Sequence, residues 1–326
     1  MPEFCSRYNM ASSRFRAKIW IVRQGAGKSS AMIAISPTTP VLIAGPTASG
    51  KSALALHIAK SQGGVVVNAD ALQVFGGWRI LTARPDDVEL AQAEHALYGH
   101  VPYDAPYSTG HWLRDVAPLL AGKRPIIVGG TGLNFMALTQ GLADIPATPP
   151  ALRTAGNDIP LCTLLQQLDD KAKSRIDTNN RMRVQRAWEV LQATGRSMAD
   201  WQDATPPPLL QPSDAVRITL DVPVDWLNDR ITRRFDQMLD QGALAEAEAM
   251  LPNWDPSHQS SKAIGAPALI DYLRGDMTLP AARDAAIIAS RQYAKRQRTW
   301  FRSKHADWAK IDISSTDLST AIIFKS

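Results

Sequence analysis

The sequence predicts an α/β fold: a parallel sheet with a phosphate-binding loop (P-loop), flanked by helices and interrupted by a helical insertion domain. Short apolar runs alternate with helix-like segments, which is typical of a parallel sheet. A glycine-rich phosphate motif follows the first run, and proline-rich breaks bound a stretch of helix formers. We therefore expect an α/β core with C-terminal helices at residues 37–144 and 212–326, and a helical insertion at residues 145–211.

The individual strands follow from continuous apolar runs. Residues 41–44, 65–67 and 126–128 are of the buried-strand type, and residues 216–222 resume strand character. Because strands alternating with helices form parallel sheets, these runs predict one sheet.

The helices follow from apolar periodicity and end signals. Residues 53–60 and 133–142 have helix formers after a strand, and residues 151–205 read almost wholly as helix. Within that stretch Asn179 or Asn180 is the expected cap and Gly195 the expected end of one helix. From Trp226 onward the chain is again helix-like.

The composition limits the classes of protein to which this chain can belong. The chain has 326 residues and a formal net charge of +5, which is a weak hint of an acidic partner such as nucleic acid. Cys5 and Cys162 form no CxxC pair, which excludes a zinc site built on cysteines and fits a reducing compartment. No apolar run reaches the length of a membrane span. We therefore expect a cytoplasmic protein without membrane contact.

The first 36 residues differ from the rest. Basic side chains from Arg7 to Lys28 are opposed only by Glu3, and serines are frequent. This composition fits an organelle transit peptide, or an upstream extension with Met32 nearer the functional start. Because no amphipathic helix runs through it, we expect residues 1–36 to be a disordered or non-native extension.

Two glycine-lysine-serine stretches compete as the phosphate loop. The pattern G-x-x-x-x-G-K-[ST] requires a glycine five residues before the second glycine. GPTASGKS has Gly45 and Gly50 at those positions, between a predicted strand and a predicted helix. RQGAGKSS, residues 23–30, has Val22 there and no buried strand before it. We therefore expect only the second stretch to bind phosphate.

The chemistry of that loop follows from its residue types. Backbone amides at the start of a helix face an anion, and Lys51 neutralises its charge. The hydroxyl of Ser52 is the expected ligand for Mg²⁺. A phosphate loop identifies a ligand and leaves the reaction open, and a small-molecule or nucleotide kinase is the first interpretation.

Two polar residues follow the second and third strands and should meet at the same edge of the sheet. Asp70 either accepts a proton from an incoming nucleophile or caps a helix. Thr131, in the turn GGTG, either hydrogen-bonds a phosphate oxygen or is an ordinary turn residue.

The last long helix is basic and aromatic. Tyr293, Trp300 and Phe301 are interleaved with cations, a combination that binds phosphate backbones and stacks on unpaired bases. The alternative is a solvated basic face over a packed aromatic stripe. The cations are Arg291, Lys295, Arg296, Arg298, Arg302 and Lys304.

Ordered blocks spanning most of the chain resemble the tRNA dimethylallyltransferases, also called tRNA isopentenyl transferases (the IPP transferase family), in their bacterial form. The first block is shared by many phosphate-binding proteins, whereas AKRQRTWFR and NNRMRVQRAWEV are far more specific. The blocks are residues 45–52, 68–85, 129–135, 176–195, 230–250, 262–265 and 293–302.

The resemblance implies the reaction. A dimethylallyl group moves from dimethylallyl diphosphate to the exocyclic amine of the adenosine 3′-adjacent to the anticodon of tRNA, and diphosphate leaves. The implied partners are dimethylallyl diphosphate and the tRNA anticodon stem-loop, and the implied cofactor is Mg²⁺. We expect a monomer without an obligate protein partner. ATP or another nucleotide in the loop stays open.

The resemblance also implies catalytic roles. Asp70 would hold the adenine amine and take its proton, Thr131 would hydrogen-bond the bridging oxygen, and Arg230 would neutralise the diphosphate. Amides of residues 47–52 would assist. The implied diphosphate-binding residues are Gly45, Pro46, Thr47, Ala48, Ser49, Gly50, Lys51 and Ser52.

The tRNA contacts implied by the resemblance lie in four regions, and the insertion would clamp the anticodon stem. They are Asp70, Ala71, Leu72, Gln73, Thr131, Arg153, Met182, Arg183, Val184, Gln185, Arg186, Lys262, Gly265, Lys295, Arg296, Gln297, Arg298, Thr299 and Arg302.

The chain departs from the family pattern at several positions. Leu81 replaces a glycine, Arg84 a lysine and Asn134 a tyrosine, and Ala266–Pro267 replaces a tyrosine-arginine pair. The insertion is short, and the C-terminal zinc finger of eukaryotic members is absent. These changes bear on affinity and tRNA choice more than on the reaction. Two alternatives stay open: a P-loop kinase, and an RNA-binding protein with a degenerate active site.

Overall fold

The computed structural model describes residues 19–24, 28–314 and 322–324. Within them the strands lie mostly between helices, as the alternating pattern predicts. In chain order they are β1 (Ile19–Gln24), β2 (Lys28–Ile35), β3 (Val41–Ala44), β4 (Val65–Asn68), β5 (Glu94–Ala96), β6 (Pro125–Gly129), β7 (Val216–Leu220), β8 (Ala309–Ile311) and β9 (Ile322–Phe324).

Six of these strands form an all-parallel sheet in the order β5-β4-β6-β3-β7-β8. Strand β3 lies near the centre, between β6 and β7, and every residue of β3, β4 and β6 is buried. This burial explains their continuous apolar sequence. The predicted α/β class with a parallel sheet is confirmed.

The helices flank the sheet or form the insertion. None of the helices in the described residues is long and apolar enough to cross a membrane. They are α1 (Lys51–Gln62), α2 (Asp87–Gln92), α3 (Thr109–Leu120), α4 (Gly132–Gln140), α5 (Pro150–Asp158), α6 (Leu161–Gln166), α7 (Asp170–Arg175), α8 (Arg181–Thr194), α9 (Met198–Asp203), α10 (Val224–Asp240), α11 (Ala243–Met250), α12 (Ala266–Leu273) and α13 (Leu279–Lys304).

The chain divides into two compact units: a core unit, Met1–Phe135 with Leu210–Ser326, and a helical unit, Met136–Leu209. The helical unit contains α5 to α9 around a small apolar core that includes Leu164 and Trp188. The side chain of Asn180 accepts from Arg183 N and begins α8. Gly195 ends it, as the sequence predicts, with a left-handed φ of 67°.

The helical unit begins earlier than the predicted residue 145. It starts at Met136, within α4, so the last residues of that helix belong to the helical unit. Its predicted role as a tRNA clamp stays a prediction.

The N-terminal segment contributes strands. β2 pairs antiparallel with β1 and parallel with β9, and Ile33 and Ile35 are buried in one apolar cluster with Ile43 and Ile58. The prediction that residues 1–36 stay outside the fold is therefore wrong for β1 and β2, whose apolar residues form a hairpin. The rest of that segment lies outside the described residues, and its disorder or removal as a transit peptide stays a prediction.

The first glycine-lysine-serine stretch, RQGAGKSS, falls on this hairpin. Its Arg23 and Gln24 end β1, and its Lys28 to Ser30 begin β2. Because it leads from strand to strand, it offers no helix N-terminus for a phosphate.

Aromatic side chains form a cluster at the C-terminal end of α13. His305 is buried and stacks on Trp308 with ring centroids 3.8 Å apart. Phe135, Trp300 and Phe301 surround the pair. Burial lowers the pKa of His305 to about 4, because the imidazolium loses its hydration there. The ring therefore packs in its neutral form.

We expect the stability of the fold to depend on this histidine. Its pKa is 6.5 in an unfolded chain and about 4 in the fold, so its contribution is complete above pH 6.5 and is lost as the pH falls toward 4. The loss amounts to at most about 3 kcal/mol. Urea unfolding across this range should show a smaller pH dependence for His305→Phe than for the wild type.

The exposed His111 provides the control. His111→Gln should keep the wild-type pH dependence of the free energy of unfolding. A His305→Phe variant that loses stability with falling pH as steeply as the wild type would contradict the assignment.

Candidate active site

The loop between β3 and α1 has the backbone of a phosphate-binding loop. Gly50 and Ala48 adopt left-handed conformations, with φ of 90° and 61°. They turn the chain sharply from the strand into the helix, whose first amides then face the carboxyl edge of the sheet. Residues 45–52 thus lie where the sequence predicts, with Lys51 and Ser52 in the first turn of α1.

One amide of this loop is already engaged. Thr47 N donates to the side-chain oxygen of Gln297 at 2.8 Å. The expectation that all the amides of residues 47–52 face a diphosphate is therefore wrong for Thr47, because its N–H is held by α13.

Lys51 is the cation at the base of the loop. Its Nζ donates to Pro46 O at 3.3 Å. The pKa of Lys51 is lowered to about 8, mainly by burial; the charge of Asp70 opposes this shift and the charge of Arg234 adds to it. An arriving anion would raise this pKa again, because it favours the charged ammonium.

Asp70 follows β4 and is fixed by local hydrogen bonds. Asn68 Oδ1 accepts from Asp70 N at 2.8 Å, and Asp70 Oδ1 accepts from Leu72 N at 3.0 Å. In the described chain a turn, and no α-helix, follows at residues 71–74, so the helix-cap alternative does not hold. Oδ1 shapes the turn, and Oδ2 is left to face the turn at Gly130.

Thr131 lies in the turn after β6 and touches the Asp70 segment. Its hydroxyl oxygen accepts from Ala71 N at 2.9 Å. Gly129 lies against the backbone of Ala69, where a Cβ would collide. The turn therefore needs glycine for close approach, and the Thr131 hydroxyl also hydrogen-bonds the side chain of Tyr293.

Two cavities meet at Lys51 and Ser52. The larger has a volume of about 810 Å³ and is lined by six lysine and arginine side chains and by the carboxylates of Asp86, Asp87 and Glu89. The smaller, of about 70 Å³, contains Asp70, Thr47 and Tyr293. The cations of the larger cavity are Lys51, Arg79, Arg84, Arg230, Arg233 and Arg234. The smaller cavity has apolar walls of Leu72, Leu81, Ile231, Phe235, Met238 and Ile264.

Helix α10 supplies two arginines to these cavities. Arg230 Nε donates to Ala48 O at 3.0 Å, and its guanidinium lies 4.7 Å from the ring centre of Trp226. Arg234, one turn later, lines both cavities. Burial and the charge of Arg230 lower the pKa of Arg234. Arg234 is not among the residues predicted from the sequence, although the four-residue spacing in RITRR places it on the same helix face as Arg230.

The segment at residues 78–84 forms one wall of the larger cavity. Gln73 Nε2 donates to the carbonyls of Thr82 and Ala83 at 2.8 and 2.9 Å. The carboxylate of Glu246 accepts from the amides of Ile80 and Leu81. Gln73, predicted to contact tRNA, thus holds this wall with its amide nitrogen, whereas Ala71 and Leu72 lie on the turn after Asp70.

The residues of α13 that are predicted to contact RNA differ in their exposure to solvent. Gln297 is 5% exposed, so its side chain cannot contact RNA in this conformation, and that prediction is corrected. Arg298 is half-buried. The exposed ones are Lys295, Arg296, Thr299 and Arg302.

The predicted contacts at residues 262 and 265 also differ from each other. Lys262 is exposed at the end of a 3-10 turn. Gly265 is buried with φ of 96°, and a Cβ there would press on the Phe235 ring. Its role is therefore close packing at the start of α12, which corrects the predicted contact.

The predicted contacts of the helical unit show the same division. Met182 and Arg183 are exposed at the start of α8, and Arg153 and Arg186 are at least partly exposed. Both of these arginines lie within 4 Å of the buried carboxylate of Glu189.

Two predicted contacts of this unit are internal. Val184 is fully buried, and Gln185 Nε2 donates to Arg153 O at 3.2 Å and to Asn157 Oδ1 at 2.8 Å. Both side chains are buried within the helical unit, so the predicted RNA contacts are corrected for Val184 and Gln185.

The departures from the family pattern are accommodated locally. Asn134 is buried and accepts from Thr109 Oγ1 at 2.9 Å, so a polar contact replaces an aromatic one. Arg84 lies directly over Gly99, where any Cβ would collide with the guanidinium. Leu81 is buried in the apolar core. Pro267 stands in the first turn of α12, where a proline is tolerated.

Comparison with known proteins identifies the family of the chain. The model of the IPP transferase family matches residues 73–304, and an isopentenyl transferase model matches residues 39–98. A tRNA dimethylallyltransferase of Ruegeria sp. is 59% identical over 83% of this chain and 95% of its own length. One from Dinoroseobacter shibae is 59% identical over 85% of this chain and 96% of its own.

Solved structures have the same fold. The tRNA isopentenylpyrophosphate transferase of Bacillus halodurans is 34% identical, covers 86% of this chain and 92% of its own, and gives a TM-score of 0.62. A eukaryotic dimethylallyltransferase acting on tRNA, 24% identical over 86% of this chain and 75% of its own, shares the fold with a TM-score of 0.73. By the family model and the relatives of high identity, the chain belongs to the IPP transferase family.

Proposed function

We propose that this chain transfers a dimethylallyl group from dimethylallyl diphosphate to the exocyclic amine of the adenosine 3′-adjacent to the anticodon of tRNA, releasing diphosphate. One observation carries the proposal. The phosphate loop, the carboxylate of Asp70 and a set of apolar walls all line one small cavity. A kinase acting on a polar acceptor has no need of such walls.

The diphosphate of the donor belongs at the phosphate loop. Its charge is neutralised by Lys51 and by Arg230 and Arg234 on α10, all of which line the larger cavity. The dimethylallyl group then points to the apolar walls of the smaller cavity, such as Leu81 and Phe235. Leaving-group charge is thus stabilised at one end, while water is excluded from the reacting carbon at the other.

The acceptor amine belongs beside Asp70. The adenine leaves its stack to enter the cavity, because the amine is out of reach inside a stacked loop. The nitrogen lone pair forms a bond to the first carbon of the dimethylallyl group, and the bond from that carbon to the diphosphate oxygen breaks. The oxygen keeps the electron pair and accepts a hydrogen bond from Thr131, and Asp70 takes the amine proton.

The oxygen donors around the loop fit Mg²⁺. The hydroxyl of Ser52 and the carboxylate of Asp70 line the same cavity, next to where the diphosphate oxygens would lie. Mg²⁺ prefers one or two protein oxygens together with phosphate oxygens and water. When bound, the ion would neutralise charge on the leaving diphosphate. We propose Ser52 as the protein ligand of this ion.

The RNA is held by exposed cations. Arg296 and Arg302 on α13 are free to contact phosphates, and Arg153 and Arg183 offer the same chemistry in the helical unit. Since both cavities are lined by residues of one chain, we propose that a monomer is sufficient.

Transfer of label decides the function. The chain is incubated with labelled dimethylallyl diphosphate, Mg²⁺ and unmodified tRNA, and label on the tRNA is counted. A tRNA with uridine in place of the target adenosine lacks the amine and should stay unlabelled. Phosphorylation of an acceptor by ATP without prenyl transfer would indicate the kinase instead, and RNA binding without transfer would indicate a degenerate site.

Asp70→Asn should lower kcat by roughly two to four orders of magnitude, the usual contribution of a general base. The amide oxygen still accepts from Leu72 N, so the turn is kept and tRNA affinity should stay within about twofold of the wild type. Asp104→Asn, at an exposed position, is the matched control. An unchanged kcat in Asp70→Asn would remove Asp70 from the chemistry.

The affinity for inorganic diphosphate should depend on the protonation of Lys51. Its pKa is about 8, so the free chain loses this charge as the pH rises above 8. Binding then requires proton uptake and weakens by up to about tenfold per pH unit.

Lys51→Arg stays charged over this range, so the pH dependence of its affinity reflects the titration of the diphosphate itself. The ratio of the wild-type dissociation constant to that of Lys51→Arg, measured by calorimetry from about pH 7 to 9.5, should rise with pH. A constant ratio would show that Lys51 does not titrate in the site.

A further inference from the structure

Gln297 lies on the buried face of α13, although both of its neighbours in the sequence are cations. It is 5% exposed, whereas Arg296 is exposed and Arg298 half-buried. A buried amide needs partners for both its oxygen and its nitrogen. Gln297 finds one for each in a different loop of the active site.

The two partners are the phosphate loop and the turn that carries Thr131. Gln297 Oε1 accepts from Thr47 N at 2.8 Å, and Gln297 Nε2 donates to Gly130 O at 2.9 Å. One side chain thus connects the loop for the diphosphate to the turn for the bridging oxygen. The hydrogen bond to Gly130 O is buried and the one from Thr47 N is part-buried, so the loss of either leaves a polar group poorly compensated.

The surrounding residues are shaped to this contact. A Cβ on Gly130 would collide with the Gln297 amide, and a Cβ on Gly132 would collide with the Trp300 ring. Tyr293, one turn before Gln297, lines the smaller cavity. Positions 293, 297 and 300 lie on one face of the helix, and that face is applied to the active site.

We propose that Gln297 is a positioning residue, which fixes the phosphate loop against the Thr131 turn and so sets the distance from the diphosphate to the attacking amine. The inference rests on the proposed function. Gln297 touches neither substrate and acts through the loops it joins. A small displacement of reacting groups lowers rates strongly, so its loss should act on kcat and leave tRNA affinity alone.

Gln297→Met tests the proposal, because methionine has a similar length and lacks both hydrogen bonds. We expect kcat to fall about ten- to a hundredfold, with the tRNA dissociation constant within about twofold of the wild type. Gln292→Met, at an exposed position of the same helix, is the matched control and should keep the wild-type kcat. Arg302→Ala should show the opposite pattern, with weaker tRNA binding.

Gln297→Glu adds a measurement that a purely structural role would not move. The carboxylate accepts from Thr47 N and repels Gly130 O, whereas the protonated acid restores both hydrogen bonds. The ratio of its kcat to that of the wild type should therefore rise as the pH falls, while the same ratio for Gln297→Met stays constant. Hydrogen exchange of the Thr47 amide should be faster in Gln297→Met, independently of any activity.

The outcomes separate the two proposals. Absence of transfer by the wild-type chain contradicts the proposed function, whereas faster Thr47 exchange can be measured even then. A wild type that transfers, with an unchanged kcat and weaker tRNA binding in Gln297→Met, overturns the positioning role and restores Gln297 as an RNA contact. A pH-independent ratio for Gln297→Glu also overturns it.

Discussion

The parallel pairing of β3, β4 and β6 is the constraint on which the active site depends. Because the three strands run in the same direction, the loops that follow them meet at one edge of the sheet. Those loops carry Lys51, Asp70 and Thr131, which are far apart in the sequence. Thr131 Oγ1 accepts from Ala71 N, and Gln297 accepts from Thr47 N and donates to Gly130 O. These hydrogen bonds hold that edge together. Helix α13 therefore holds the loops of the candidate site together, in addition to the RNA contacts that we propose for its exposed cations.

The free site holds more positive than negative charge, because six lysine and arginine side chains share the two cavities with the four carboxylates of Asp70, Asp86, Asp87 and Glu89. Lys51 and Arg234 are both destabilised as cations by burial, and the charge of Arg234 lowers the pKa of Lys51. Such repulsion is tolerated because the fold gains its stability elsewhere, in the buried sheet and the packing around α10 and α13. The diphosphate donor that we propose would relieve this repulsion on binding, whereas a neutral prenyl alcohol would leave it unrelieved. The charge of the site therefore favours a diphosphate ester over the alcohol.

Long apolar runs and end signals allowed most of the core to be predicted. β3, β4, β6, β7 and the capped helix α8 lie at the predicted places, because their burial or capping leaves a local mark on the sequence. β5 and β8 are short edge strands that are partly exposed, so no such mark distinguishes them. The hairpin of β1 and β2 was missed because its basic composition suggested an extension.

In the candidate site, too, the sequence predicts only those positions that a local motif marks. Local motifs located Lys51, Asp70 and Thr131, whose positions depend on the strand ends. Val184, Gln185 and Gln297 are buried because they lie on the packed face of their helices. A motif of consecutive residues does not distinguish that face from the exposed one, so all its residues were predicted to contact RNA. That packing carries an evolutionary consequence. Since Gly130 and Gly132 admit no side chain beneath Gln297 and Trp300, these four positions should change together or stay fixed across relatives, and a lineage that altered one alone would have to rebuild the contact between the helix and the turn.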